Sequence, residues 1–396
     1  MDPAPFAGVT VIDLGQIYNA PYATLLLALN GADVIKVEPL TGENLRGRGR
    51  VRGAGAPFGM LNSNKRDVTL NLKDPRGVAL LERMVAKADV FVENFRPGVT
   101  DKLGIGAQRL HEINPMLIYA SGSGYGSTGP YRDLPAMDIT IQAMSGIMSV
   151  TGFPDREPVK AGPAISDFMG GIHLFGAITS ALYQREKTGR GTTVEAAMLD
   201  AVYPSLMSSL GLYFGGTGDV PTRTGNRHSG MAEAPYNVYP ARDGHIALIC
   251  VGEAHWRALT DLMGLPELTT NPKFVDRVAR VAHIDEVDAL VSAWTRDQTK
   301  EQLAERFRAA GVPSAPVREL GEVVNDPHLR QRGMLQEIDH PDMGPLVVPH
   351  SPVRVGDFYA EISPSPSLGQ HNDEIYGTWL GLGTEEIADL RKDGVI

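Results

Sequence analysis

Cysteine is almost missing from this sequence: Cys250 is the only one in 396 residues. A disulfide within the chain is therefore excluded, as is a cysteine-rich zinc or iron–sulfur site. The ten histidines are scattered, and neither an H-E-x-x-H pair nor a G-x-S-x-G elbow occurs. No metal site and no serine-hydrolase nucleophile is expected on those grounds. No run of consecutive apolar residues approaches the roughly 18 that a membrane span needs. The N-terminus, MDPAPFAGVTVIDLG, lacks a basic stretch leading into an apolar one, so no secretion signal is read there. An excess of positive charge is lacking too. Lys and Arg number 37 against 47 Asp and Glu, a net charge of −10, which argues against nucleic acid as a partner. Together these absences lead to the expectation of a cytoplasmic protein with no resident metal or cofactor.

Glycine and proline are abundant, 44 and 28 residues, against ordinary usage of about 7 % and 5 %. Without a collagen-like period, the excess predicts many tight turns and close backbone approaches. Basic charge gathers between Lys36 and Arg66, where Lys36, Arg46, Arg48, Arg50, Arg52, Lys65 and Arg66 face only Glu38 and Glu43. In an acidic protein this segment points to a small polyanionic ligand, with arginines in a Gly-spaced loop taking phosphate; a solvated charge run is the alternative.

Residues 9–38 read as strand, helix, strand. VTVIDL and ADVIKVE are apolar runs rich in β-branched residues, Pro21 suits a first helical turn and Gly31 a helix end. The pattern continues with strands at 67–72, 89–95 and 116–124 and helices at 75–88 and 107–113. Further helices are predicted at 138–149, 168–187 and 195–215. Alternation of this kind predicts an α/β, Rossmann-like domain with a mostly parallel sheet. Residues 215–230 read as linker and loop. A hairpin about Asp243-Gly244 and helices at 253–263, 283–293 and 300–310 then predict a smaller α+β domain. One more helix is expected at 370–380. The boundaries expected are 1–200 with 331–396 for the large domain, 201–224 for a linker and 225–330 for the small domain.

Gly124-Tyr125-Gly126-Ser127-Thr128-Gly129 spells G-x-G-x-x-G, but Pro130 and Pro135 follow where a helix should open, and no acid stands about 20 residues on. A turn or ligand-facing loop is the better reading, and a dinucleotide site is disfavoured. Asp167 is the most suggestive single residue, lying in the nearly uncharged stretch AGPAISDFMGGIHLFGAITSALY. Ser166 or Asp167 would serve as the helix cap, the usual role of a lone Asp before a helix; the alternative is a carboxylate held among apolar residues and glycines for nucleophilic or acid–base work.

VIDLGQIYNAPYATLLLALNGADVIKVEP, SNKRDVTLNLKDPRG, VENFRPGVTDKLG, ISDFMGGIHLFGAI and KTGRGTTVEAAMLDAV, followed by PYNVYPARDGHIALICVGEAHW and LGQHNDEIYGTWLGL, run in the order and spacing of one family. Nearly the whole chain resembles the class III CoA-transferases, which include formyl-CoA transferase, the carnitine CoA-transferases and α-methylacyl-CoA racemase. The resemblance implies an interlocked homodimer, with CoA thioesters and carboxylic acids as substrates. It carries the family's catalytic aspartate onto Asp167. CoA contacts fall on Tyr18, Asn19, Leu70, Asn71, Leu72, Lys73, Asn94, Phe95, Arg96 and Lys102, and Asp138 takes the place of an acid near the thioester. Racemases have a His where this chain has Met137, which cannot transfer a proton, so the two-base chemistry of α-proton exchange is disfavoured. The four-glycine run of formyl-CoA transferase is replaced by GNRHSG at 225–230. That departure argues against formyl-CoA and oxalate as the pair and leaves Arg227 or His228 as partners for an acceptor carboxylate. A racemase or a non-catalytic CoA-binding protein are the alternatives.

Overall fold

The computed structural model describes residues 3–47, 55–215 and 222–396. Arg48, Arg50 and Arg52 of the basic segment and residues 216–221 of the expected linker lie outside them. The chain forms two compact units: Met1–Ile141, Pro163–Val202 and Val324–Ile396 make the larger, Gln142–Gly162 and Tyr203–Val323 the smaller.

The larger unit is built on six strands: β1 Thr10–Asp13, β2 Asp33–Glu38, β3 Lys65–Thr69, β4 Val90–Glu93, β5 Ile118–Ser123 and β6 Thr192–Ala197. They pair in the order β3-β2-β1-β4-β5-β6, every pair parallel. Its helices include α1 Asn19–Ala28, α2 Asn44–Gly47, α3 Ala56–Leu61, α4 Pro75–Val85, α5 Val99–Lys102 and α6 Ala107–Ile113; α7 Asp138–Met144 begins in the larger unit and ends in the smaller, α8 Ile147–Val150 belongs to the smaller, and α9 Ile165–Thr188 returns to the larger. Because both faces are covered, the strands need apolar side chains on both. Val11, Val34, Val90 and Val92 bury on one face with α1 and α9. Their neighbours Ile12, Ile35 and Phe91 bury on the other with α4 and the C-terminal Ile375, Tyr376 and Leu390. That is why the strands read as unbroken apolar runs. α9, with 24 residues, is long and apolar enough by composition alone to cross a membrane, yet Leu174, Ile178 and Ala181 belong to the core beneath the sheet.

Four local expectations are corrected. The helix expected at 195–215 gives way to β6 at its start. Glu195, Ala196 and Ala197 favour helix, but pairing with β5 supplies ladder hydrogen bonds that outweigh this weak propensity. β3 begins at Lys65, because the charged Lys65 is buried in an ion pair instead of lying before the strand. The helix expected at 138–149 breaks at Gly146, whose φ of 94° is left-handed. α9 begins at Ile165, so neither Ser166 nor Asp167 is its cap; Ala164 holds that position without a side-chain bond. A hairpin of β10 Leu335–His340 and β11 Gly344–Pro349 was not foreseen.

The smaller unit carries β7 Tyr236–Ala241, β8 Gly244–Ile249 and β9 Ser314–Pro316 in an antiparallel sheet, the first two joined at Asp243-Gly244. Helices Glu253–Met263, Ile284–Thr295 and Lys300–Ala309 pack on it around Trp256, Val287, Val291 and Phe307. The architecture is thus α/β with a parallel six-stranded sheet, plus antiparallel sheets.

Candidate active site

In an open parallel sheet ligands gather beyond the C-terminal strand ends where the strand order reverses. Here that point lies between β1 and β4. A cavity of ≈ 520 Å³ opens there, lined by Gln16, Ile17 and Asn19 after β1, by Asn94, Phe95 and Arg96 after β4, and by Gly122, Ser123, Gly124 and Tyr125 at β5. Asn44, Pro97, Arg132, Leu134, Ala136, Met137, Asp167 and Met198 complete its wall. A second cavity, also ≈ 520 Å³, is lined by Leu70, Asn71, Leu72 and Lys73 with Val37–Thr41, and Gln16 and Phe95 border both. The G-x-G-x-x-G letters form a turn-rich loop facing the first cavity, with Gly126 and Gly129 at positive φ and no helix opening before Asp138.

Asp167 sits in the first turn of α9, 8 % exposed. Burial, and then the neighbouring Asp138 carboxylate, push its pKa up to about 7. Its helix has no cap of its own. Instead the Asp138 Oδ1 atom accepts from the Ser166 amide at 2.8 Å and from the Asp167 amide at 3.5 Å. Asn19 is wedged beside it, its Nδ2 donating to the Asp167 carbonyl at 3.3 Å. A Cβ on Gly122 or Gly170 would fall 2.3 or 2.2 Å from the Asn19 amide, so both positions are glycine for want of room. The buried Asn19 Oδ1 has no partner among the described residues, which marks an acceptor facing the cavity wall.

The other expected positions divide. Leu70–Lys73 line the second cavity and Asn94–Arg96 the first. Asn94 also grips the backbone of Gln16, accepting from its amide and donating to its carbonyl, both at 2.8 Å. Phe95 is aimed by Glu93, whose Oε2 accepts its amide at 2.7 Å. The Tyr18 ring stacks on Phe168, 6.0 Å between centroids, and is absent from both cavity walls. Lys102 is exposed at the end of α5 and lines neither. Arg227, in the smaller unit, is committed to Asp285 and Asp288 at 2.6 and 2.8 Å. His228 Nδ1 accepts from the Gly230 amide at 3.1 Å.

The described members of the basic segment all have carboxylate partners within the fold. Lys65 pairs with Asp13 at 3.0 Å, Arg46 with Glu38 at 2.6 Å, and Lys36 lies 3.7 Å from Glu43. Arg66 bonds Asp33 and Glu374. These cations neutralise carboxylates of the fold itself. Tyr125 lies in the segment read as a turn or ligand-facing loop, whereas Gln16, Asn44, Ser123 and Arg132 were missed. The only signal for them is position after a strand, which identifies a site once the strand order is known.

A doubly wound parallel sheet with a cavity at the reversal point and a buried carboxylate on its wall is the arrangement of a ligand-binding α/β protein. The chain belongs to CoA-transferase family III, whose family model matches residues 6–372. It is 37 % identical to the formyl-CoA:oxalate CoA-transferase of Streptomyces avermitilis over 98 % of both chains. To the acetyl-CoA:oxalate CoA-transferase of Acetobacter aceti it is 40 % identical, over 89 % of this chain and 90 % of that one. To the succinyl-CoA–D-citramalate CoA-transferase of Chloroflexus aurantiacus it is 37 % identical, over 100 % and 98 %. Among solved structures a CAIB/BAIF family protein from Brucella suis superposes with a TM-score of 0.83 at 35 % identity, covering 96 % of this chain and all of that one.

Proposed function

We propose that the protein moves CoA from an acyl-CoA thioester to a carboxylic acid through a covalent intermediate on Asp167. The Asp167 carboxylate attacks the thioester carbonyl carbon, the C–S bond breaks, and CoA thiolate leaves a mixed anhydride. The thiolate then attacks the Asp167 carbonyl, releasing the first acid and leaving an aspartyl-CoA thioester. The acceptor carboxylate attacks that carbonyl to form a second anhydride and frees the thiolate. Thiolate attack on the acceptor's acyl carbon yields the new acyl-CoA and restores Asp167. No net proton is required, so one carboxylate suffices.

The observation carrying this reading is Asp167 itself. It is buried at a cavity wall, and none of the described residues donates a hydrogen bond to its carboxylate. A carboxylate with a pKa near 7 is more basic than an ordinary one, hence a better nucleophile once ionised. Burial also protects the anhydride from water. Leu70–Lys73 and Phe95 hold the CoA arm in the second cavity, and Arg96 takes a CoA phosphate. Oxalate and citramalate, named for the relatives, each carry two carboxylates; Arg132 on the first cavity's wall suits the second carboxylate of such an acid. Met137 on the same wall leaves racemisation without a second base. The functional unit is a homodimer in the cytoplasm; exposed Tyr183, Met207, Tyr213 and Phe214 support the dimer, and size-exclusion chromatography with light scattering would return a monomer mass if that part is wrong.

The test is peptide mass spectrometry of the enzyme incubated with a panel of acyl-CoA thioesters and quenched with hydroxylamine. The expected result is a hydroxamate on the Asp167 peptide, absent in Asp167→Asn, which also loses transfer. Transfer that persists in Asp167→Asn, or α-proton exchange without an adduct, overturns the proposal.

A further inference from the structure

The turn from Gly15 to Ile17 forms part of the wall of the first cavity, and its backbone is held almost wholly by side chains. The Gly15 amide donates to Asp13 Oδ1 at 2.8 Å, and the Gly15 carbonyl accepts from Lys36 Nζ at 2.8 Å. Asn94 takes both polar groups of Gln16. The Ile17 amide donates to Glu43 Oε2 at 2.9 Å. Five successive backbone groups thus find partners on β1, β2, the segment after β4 and the segment before α2. The need for such holding is visible at Ile17, whose φ of 66° is left-handed. A β-branched residue reaches that conformation only when its surroundings impose it. Its side chain packs with Leu25, Leu45 and Phe58, which explains an isoleucine where the backbone favours glycine. Glu43 is 4 % exposed, is placed by its own amide donating to Glu38 Oε2 at 2.8 Å, and does not line either cavity.

We infer that Glu43 is a positioning residue of the active site: through the Ile17 amide it locks the Gly15–Ile17 turn in a strained shape that presents Gln16 to both cavities and Asn19 to Asp167. The kinetic part of this inference rests on the proposed transferase reaction; the conformational part does not. A ligand spanning both cavities must pass Gln16 and Phe95, so a turn free to relax would spoil alignment at the thioester while leaving the outer contacts to CoA in place. Catalysis then suffers more than binding.

The experiment combines amide hydrogen exchange of the segment 15–18 with steady-state kinetics on Glu43→Ala, Glu43→Gln, Ile17→Gly and Glu43→Ala with Ile17→Gly. In Glu43→Ala, exchange at the Ile17 amide is expected to quicken at least tenfold. kcat falls at least tenfold, and KM for the acyl-CoA stays within about threefold. Glu43→Gln keeps an acceptor oxygen and retains most of the protection and rate. In the Ile17→Gly background, where glycine adopts positive φ without strain, losing Glu43 costs kcat less than threefold. Unchanged exchange at Ile17 in Glu43→Ala overturns the inference, as does faster exchange with unchanged kcat. Should Glu43→Ala not fold, a tenfold kcat loss or lost Ile17 protection in Glu43→Gln overturns it. If the wild-type protein transfers no CoA between any acids tried, the proposed function fails, and the exchange data alone decide whether Glu43 holds the turn.

Discussion

The Asp138 carboxylate caps the helix that carries Asp167, accepting the Ser166 amide at 2.8 Å, and is also the charge that raises the Asp167 pKa beyond what burial does. One group thus places the helix that carries Asp167 and adjusts the basicity of Asp167. Asp138→Asn keeps an acceptor oxygen for the cap and removes the like charge. The Asp167 pKa should fall, and the acid limb of the pH–rate profile should move to lower pH with little change in thermal stability. Asp138→Ala should shift the limb the same way and also cost about 1 kcal/mol as the cap is lost, read from urea unfolding.

In the proposed reaction Asp167 acts as the carboxylate, and its pKa is raised from 3.8 to about 7. Transfer by the wild-type enzyme should therefore decline as pH falls below about 7, along a single ionisation. The same shift has a stability consequence. A raised folded-state pKa means the folded protein holds the proton more tightly than the unfolded chain. Its stabilising effect is complete below about pH 4 and is lost as pH climbs through 7. Asp167→Asn should consequently melt higher than wild type at pH 8, by a few degrees, while the difference shrinks at pH 5. Equal melting temperatures at both pH values would contradict a buried, costly carboxylate.

Gly170 stands against Asn19 with no room for a methyl group; its Cβ would lie 2.2 Å from the Asn19 Nδ2 atom and 2.9 Å from Met198. Gly170→Ala should displace Asn19 from the Asp167 carbonyl. A loss of transfer rate of tenfold or more is expected. Alanine favours helix over glycine by about 1 kcal/mol, which limits the accompanying loss of stability. Gly176→Ala, six residues along the same helix with open space at its Cβ, serves as the control and should leave the rate unchanged.

Lys65 and Asp13 form a fully buried pair at 3.0 Å, and Thr24, Asn62 and the Pro21 carbonyl also accept from the lysine. Burial would raise the Asp13 carboxyl, but Lys65 and Lys36 outweigh it and hold it below its usual value. Lys65→Met leaves that carboxylate buried with one cation fewer. The expected cost is about 3–5 kcal/mol, measured by denaturant unfolding. The Gly15 amide, held by Asp13, should exchange faster in the variant.

Much of the larger unit was legible in the sequence because buried parallel strands need apolar residues at every position. Val11-Ile12 and Val90-Phe91-Val92 bury on alternating faces and so could be read as one run. β6 was not legible. Thr192–Ala197 is an edge strand with partial exposure, and its identity comes from β5 beside it. Asp167 stood out as a charge in an apolar stretch. Its role relative to α9 could not be read, because the cap comes from Asp138, 28 residues earlier in the chain. The partners of Lys36, Arg46 and Lys65 were not legible for a related reason: a cation's partner is a matter of space, and theirs are internal.

The sequence by itself determined the alternation of strand and helix, the absence of cysteine chemistry, the kinship to the CoA-transferases and the single acid worth testing. These depend on local periodicity or on residue identity in order. Only the tertiary structure decided that the strand order reverses between β1 and β4, that Gln16 and Phe95 border both cavities, and that the Ile17 amide meets Glu43. Those facts depend on groups distant in the chain meeting at hydrogen-bonding range, and no local pattern encodes such meetings.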